Sequence, residues 1–270
     1  MRWSARIGLL VAGLVLVSSA PVAADTADED FEALFQATQA TAAAARSGVD
    51  VVQTVRFSRA TDLDALDPTV SGTVPAGTRL RIHSTVAADG TAYLSLRYQP
   101  SGRLLAAAGI DPSDGTPWAT VRMLTRQARS EARRAGVRDR TALTDVPTSA
   151  VADSRVLEQP LRIALALLVP PYASSLDEGW TTIERLPQPD GTTVIRGSIR
   201  SGVAATDGED RCVRPLVEVT VGPDGIIRSS RWTETCPGEG TRAYAAVAEY
   251  GPQQVQPPTR PQRPASAVLG

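Results

Sequence analysis

Three Asp-Gly turns constrain this chain more than any other feature. They stand at Ala88-Asp89-Gly90, Pro189-Asp190-Gly191 and Pro223-Asp224-Gly225, each between runs in which apolar and polar residues alternate. Glycine after aspartate supplies the left-handed residue that a tight hairpin loop needs. About the first turn, Leu80, Ile82, Leu94, Leu96 and Tyr98 fall on one face and Arg81, His83, Ser95 and Arg97 on the other. About the second, Ile183, Ile195 and Ile199 share a face; about the third, Val217, Val219, Val221 and Ile227 do. Three hairpins with one apolar face each predict an antiparallel sheet that is dry on one side. They are too unlike one another to be units of a solenoid.

Helical patterns surround these strands. Phe31, Leu34, Phe35 and Thr38 recur at helical spacing before an Ala-rich run that reaches Arg46, and Gly48 is a stop. Acids at the front (Asp28, Glu29, Asp30, Glu32) and arginine at the back suit the helix dipole. Val49–Phe57 is β-branched and strand-like. Val121–Ala135 and Glu158–Leu168 read as helices, the second stopped by Pro170-Pro171. From Gly251 to Gly270 the prolines at 252, 257, 258, 261 and 264 predict an extended, poorly ordered tail. Residues 25–250 are thus expected to form a single α+β domain, with helices gathered on one face of a curved antiparallel sheet.

The first 24 residues read as a secretory signal peptide. Arg2 and Arg6 precede an uncharged, Leu/Val-rich stretch that ends at Val22-Ala23-Ala24 before Asp25. Its apolar core, Ile7–Val17, is short for a membrane span, and the next apolar run, Ile163–Val169, is shorter still. A secreted, extracytoplasmic location suits the two cysteines, Cys212 and Cys236. Counting outward pair by pair from a hairpin loop closed by Gly222 and Ile226 brings Cys212 opposite Cys236, so a structural disulfide worth about 3 kcal/mol is expected.

Composition excludes several functions. The 28 cations, all arginine, balance 29 acids at a net charge of −1, which is unlike a nucleic-acid binder. One histidine and two cysteines leave too few ligands for a Cys/His zinc site, and neither metal nor cofactor is expected. His83 is the one imidazole; it sits on a polar strand face with no acid suggested beside it, and reads as a solvated surface residue. No Gly-x-Ser-x-Gly elbow and no phosphate-cradling glycine loop appears, and pairs such as Glu184 and Glu218 carry no readable separation. An enzyme is therefore not expected. Arg122, Arg126, Arg129 and Arg133 are spaced by 4, 3 and 4 residues and form one stripe of a helix. That stripe is either a solvated face or a docking surface for anionic membrane headgroups or cell-wall polymers. Aromatic residues make up only 4% of the chain, so a sheet face built from Val, Ile and Leu can leave room for a ligand.

Several features, taken in order, resemble the LolA-like lipoprotein-carrier superfamily, in particular its actinobacterial LppX/LprG branch. They are the amphipathic helix from Asp28 to Arg46, the hairpin Leu80–Tyr98 leading to Gly115-Thr116-Pro117-Trp118, the helical middle, the hairpins from Trp180 and Arg214, and the close Glu249-Tyr250-Gly251-Pro252-Gln253-Gln254-Val255-Gln256-Pro257. The resemblance implies an unclosed antiparallel half-barrel wrapped on helices, with an apolar cavity between them that holds lipid, glycolipid or lipoprotein acyl chains. Mapped onto this chain, the cavity would be lined by Leu80, Ile82, Leu94, Leu96, Tyr98, Trp118, Ile163, Leu167, Ile183, Ile195, Val217 and Val219. The alternative is an envelope sensor or protein-interaction module of the same fold without lipid. A monomer is expected in either case. The chain departs from the branch in lacking a lipobox cysteine, in its hairpin cysteine pair and in its Arg-rich helix.

Overall fold

The computed structural model describes residues 26–62, 73–169, 180–200, 213–236, 240–255 and 262–269. The expected signal segment, Cys212 and Pro170-Pro171 lie outside these residues. Helix α1, Thr26–Ala44, runs through a 3₁₀ turn into Gly48, whose φ of 116° redirects the chain into β1, Gly48–Phe57. Leu34, Ala37, Thr38 and Thr41 form the buried face of α1, with Phe31 at its start; Phe35, placed on that face by spacing, is turned outward.

The remaining strands are β2 (Thr61–Asp62), β3 (Thr73–Val74), β4 (Arg79–Ala87), β5 (Ala92–Gln99), β6 (Leu104–Ile110), β7 (Pro117–Thr120), β8 (Ala142–Thr144), β9 (Trp180–Pro187), β10 (Thr193–Arg200), β11 (Val213–Val221), β12 (Ile227–Cys236), β13 (Gly240–Tyr250) and β14 (Gln262–Pro264). Apart from the small β2–β3 pair they form one open sheet in the order β14-β8-β7-β6-β5-β4-β1-β13-β12-β11-β10-β9. Two meanders, β4 to β8 and β9 to β13, are joined by β1, which pairs with β4 on one side and β13 on the other. The fold is the α+β open half-barrel expected from the sequence. Gly90, Gly191 and Gly225 take φ of 88°, 82° and 77° at the three Asp-Gly turns, and Leu80 opposes Tyr98 and Ile82 opposes Leu96 as turn counting predicts.

Four details differ from expectation. In the third hairpin the Gly222 N–H donates to Ile226 O at 2.8 Å, but a bulge then shifts the pairing by one residue until a second bulge at Arg214-Pro215 shifts it back. Proline has no N–H for the ladder, so a bulge is where it fits. Val213 therefore faces Thr235 in the register set by the turn, next to the position of Cys236. The predicted helix Val121–Ala135 begins late. Val121–Met123 is a 3₁₀ turn, Leu124 is extended and bridges Val151, and α2 covers only Arg126–Arg134, capped by Thr125 Oγ1 accepting the Ala128 N–H. The predicted helix Glu158–Leu168 breaks at Gln159 into α3, Arg155–Glu158, and α4, Pro160–Leu168, with proline at its favoured first position. Finally, the tail returns to the sheet: β14 adds in parallel to β8, and Ala265 and Val268 are buried in the core.

That core has two main parts on the inner face. One gathers Leu80, Leu105, Leu124, Leu143 and Val268 around α2 and α3; the other gathers Leu34, Val49, Val51, Leu168 and Ile227 around α1 and α4.

Candidate functional site

Strand register arranges the inner face into cross-strand rows. One row reads Tyr98, Leu80, Val55, Tyr244, Trp232, Val217. The next reads Leu96, Ile82, Gln53, Ala246, Ser230, Val219, Ile195, and a third Leu94, Ser84, Val51, Ala248. The second of these rows is large and apolar at its ends and small or polar at its centre, Gln53, Ala246 and Ser230. Helix α4 explains the centre. Its last carbonyls need partners from outside the helix, and the sheet supplies them: Gln53 Nε2 donates to Leu167 O at 2.7 Å and the Ser230 hydroxyl donates to Leu168 O. Two buried polar residues on an apolar face thus serve as a socket for one helix end.

Helix α4 is apolar on nearly every side, with sequence PLRIALALL. Ala164 and Leu168 are fully buried, but Leu161, Ile163, Leu165 and Leu167 are only half-buried. On the same inner face of the sheet Ile82, Leu94, Leu96 and Tyr98 are half-buried against the core around α2 and α3, and Ile183 against the core around α1 and α4. A helix without a polar face is normally enclosed; this one borders apolar surface of the sheet that the core does not fully cover.

The residues expected to line a cavity divide accordingly. Leu80, Ile82, Leu94, Leu96 and Tyr98 come together in one core, and Leu167, Ile183, Ile195 and Val219 in the other. Val217 packs with Trp232 and Tyr244, and Ile163 is half-buried on α4. Trp118 is a correction. It opposes Gly109 and points to the outer face, where it meets Tyr93 at 6.0 Å between ring centroids and packs with Leu104, Ala107 and Ala142. Its neighbour Ala119 is the inward residue, as the two-residue period of a strand requires.

Sequence reasoning missed the aromatic and charged end of the inner face. Trp232 and Tyr244 stack at 4.8 Å and 8°. One row beyond them, Arg242 stands opposite both Phe57 and Glu234; its Nη1 lies 3.6 Å from Glu234 Oε2, and the Tyr244 hydroxyl donates to the same oxygen at 3.4 Å. Alternation along 240–250 puts Arg242 and Tyr244 on one face, but no Asp-Gly turn fixes their register against β12.

On the outer face the histidine reading is corrected. His83 Nε2 lies 2.7 Å from Asp50 Oδ1, which also accepts from the Thr85 hydroxyl. Burial pushes the Asp50 carboxyl up, but hydrogen bonds from His83 and Thr85 outweigh it and hold the group below the usual carboxylate range. The acid was invisible in the sequence because β1 and β4 are not joined by a tight turn. Glu184 and Glu218 form no acid pair: Glu218 is buried between Arg196 and Arg231, at 3.1 and 2.6 Å, and Glu184 lies 3.9 Å from Arg196. The arginine stripe is also broken. Arg122 precedes α2 and, with Arg133, clamps Asp139; Arg126 is exposed; Arg129 is only 8% exposed and donates to Leu124 O at 3.1 Å. An exposed four-arginine row therefore does not exist, because the helix starts after Arg122 and buries Arg129 beside Ala128 and Ala132. Among the described residues, no three His, Cys, Asp or Glu side chains gather as a metal site would require, and no helix is long and apolar enough to cross a membrane.

No family model matches the chain, and no curated protein matches it. Among solved structures it is similar to the LolA superfamily protein NE2245 from Nitrosomonas europaea, at 10% identity over 87% of this chain and 96% of that one, with a TM-score of 0.24. It is also similar to a putative outer membrane lipoprotein-sorting protein domain from Vibrio parahaemolyticus, at 9% identity over 85% and 95% of the two chains, again with a TM-score of 0.24. The architecture assigned above rests on the strand order and register of the chain itself.

Proposed function

We propose that this protein is a non-catalytic carrier of an apolar ligand, a lipid or the acyl chains of a lipoprotein, working outside the cytoplasm behind a cleaved signal peptide. The observation that carries the proposal is the apolar helix α4, packed over β1 and β4 with Leu161, Ile163, Leu165 and Leu167 left half-buried, on an inner sheet face where Ile82, Leu94, Leu96 and Tyr98 are half-buried too. An acyl chain laid between them leaves water at about 0.8 kcal/mol per methylene, so a dozen buried methylenes would suffice for tight retention. Movement of α4 about its socket at Gln53 and Ser230 would admit the ligand. The outer face supports the protein-docking alternative less well: its exposed apolar residues, Val247 and Leu216, sit on different strands and pair with β12 residues four positions apart.

Organic extraction of the purified full chain followed by mass spectrometry, together with titration by a fluorescent fatty acid, tests the proposal. Saturable binding that falls at least tenfold in Leu96→Trp, which sets an indole where the acyl chain is proposed to lie, is expected. A lipid-free extract and no saturable binding by the folded wild type would overturn it.

A further inference from the structure

Charges on the outer face of the sheet follow two different patterns. On β9 to β12 they alternate: Arg196 stands between Glu184 and Glu218, and Glu218 between Arg196 and Arg231. On β1, β4 and β5 like faces like. Arg56 is directly opposite Arg79, and one row along Arg81 is directly opposite Arg97. Their chain neighbours Val55, Phe57, Leu80, Leu96 and Tyr98 pack inward, so alternation sets all four arginines outward. Strand spacing places them within about 10 Å across the strands and about 7 Å along them. Arg56, Arg79 and Arg81 are exposed, and none of the three meets a carboxylate among the described residues. Arg97 donates only to neutral oxygens, Gly102 O and the Tyr93 hydroxyl. Asp50, two rows beyond Arg81, is taken up by His83 and Thr85.

We propose that this arginine face docks the protein on an anionic lipid surface. Like charges directly opposite one another destabilise a sheet, and a chain with 29 acids for its 28 cations does not lack carboxylates to alternate with them. An anion laid over the face removes the repulsion, and a guanidinium offers phosphate oxygens a planar fork of donors. Attraction to anionic lipids grows with each arginine held near the surface. Ala243 and Ala245, beside Arg56 and Thr54 on β13, are too small to wall a groove, and the exposed Val247 follows in the next row. Such an open array suits many headgroups side by side better than one acidic segment of a protein. The basic surface expected of the helix stands instead on the sheet.

Co-sedimentation of the purified protein with vesicles tests the proposal, using dioleoylphosphatidylcholine alone and the same lipid mixed with dioleoylphosphatidylglycerol. Wild type is expected to partition about tenfold better onto the anionic vesicles at low salt, an advantage that shrinks as salt is raised. The double variant Arg79→Glu/Arg81→Glu should lose most of that advantage. It sets opposite charges across both pairs, so it should unfold at no lower urea concentration than wild type. Arg126→Glu/Arg134→Glu, two exposed positions of α2, changes the net charge equally and should keep most of the binding. Equal partition of wild type onto the two kinds of vesicle would overturn the proposal. So would undiminished binding by Arg79→Glu/Arg81→Glu, or an equal loss in both double variants. Binding to soluble polyglutamate with none to anionic vesicles would also overturn it, and would assign the face to an acidic protein segment. The vesicle surface rather than a buried acyl chain is read, so the outcome is separate from that of the carrier reading.

Discussion

At Gly109 the outer face has no room for a side chain. A Cβ there would lie 2.3 Å from Ala92 O and 3.2 Å from Trp118 Nε1. The first contact is with backbone of the neighbouring strand, which cannot swing aside. Gly109→Ala is therefore expected to cost about 1–3 kcal/mol in urea denaturation, and an unchanged midpoint would contradict this packing. Asp50 makes a prediction in pH. Its carboxyl sits lower in the folded state than in the unfolded chain, so the stability it contributes is full above the unfolded value, near pH 4, and is lost as pH falls through the folded one. The stability gap between wild type and Asp50→Asn should be open at about pH 6 and close as pH falls through the lowered value of the folded carboxyl. A gap independent of pH would show that His83 and Thr85 do not stabilise the ionised carboxylate. Neither residue was legible as special in the sequence. Gly109 looks like any small residue in Leu104–Ile110, and the acid that holds His83 lies 33 residues away on a strand reached through a long connection.

Elements closed by local chemistry were legible. The Asp-Gly turns fixed the faces of β4 and β5 because a hairpin register depends on few residues. Helix boundaries are less legible: helical spacing runs from Val121, but the cap stands inside that pattern at Thr125, and the residues before it form a 3₁₀ turn and an extended bridge from Leu124 to Val151. In the tail, proline content does not mean disorder. Pro264 ends β14 at the sheet edge, where a missing N–H costs little. A chain ending at residue 261 would expose the edge of β8 and lose the burial of Ala265 and Val268. It should be less stable by about 2–3 kcal/mol and be cut sooner by protease in the Leu143 region. Equal stability would mean that the terminal turn does not support the core.

For the molecule as a whole, one dry sheet face and its covering helices could be read from periodicity, as could most residues of the inner wall. The joining of the two meanders through β1 could not, since it depends on β13 finding a partner far away in sequence, nor could the ion pair beside the Trp232–Tyr244 stack, since no Asp-Gly turn fixes the register of β13 against β12. That seam has a consequence for how the protein is made. Val49 lies opposite Tyr250, so a strand that leaves the ribosome among the first must wait for one of the last before the sheet is continuous. Long-range strand pairing of this kind is slow and late. A nascent chain arrested at residue 239 should be digested readily, whereas the released chain resists; resistance before β13 emerges would mean that the first meander folds unaided. If the chain is exported as proposed, a sheet joined only when β13 arrives would leave the earlier strands unpaired for as long as threading through a translocation channel requires.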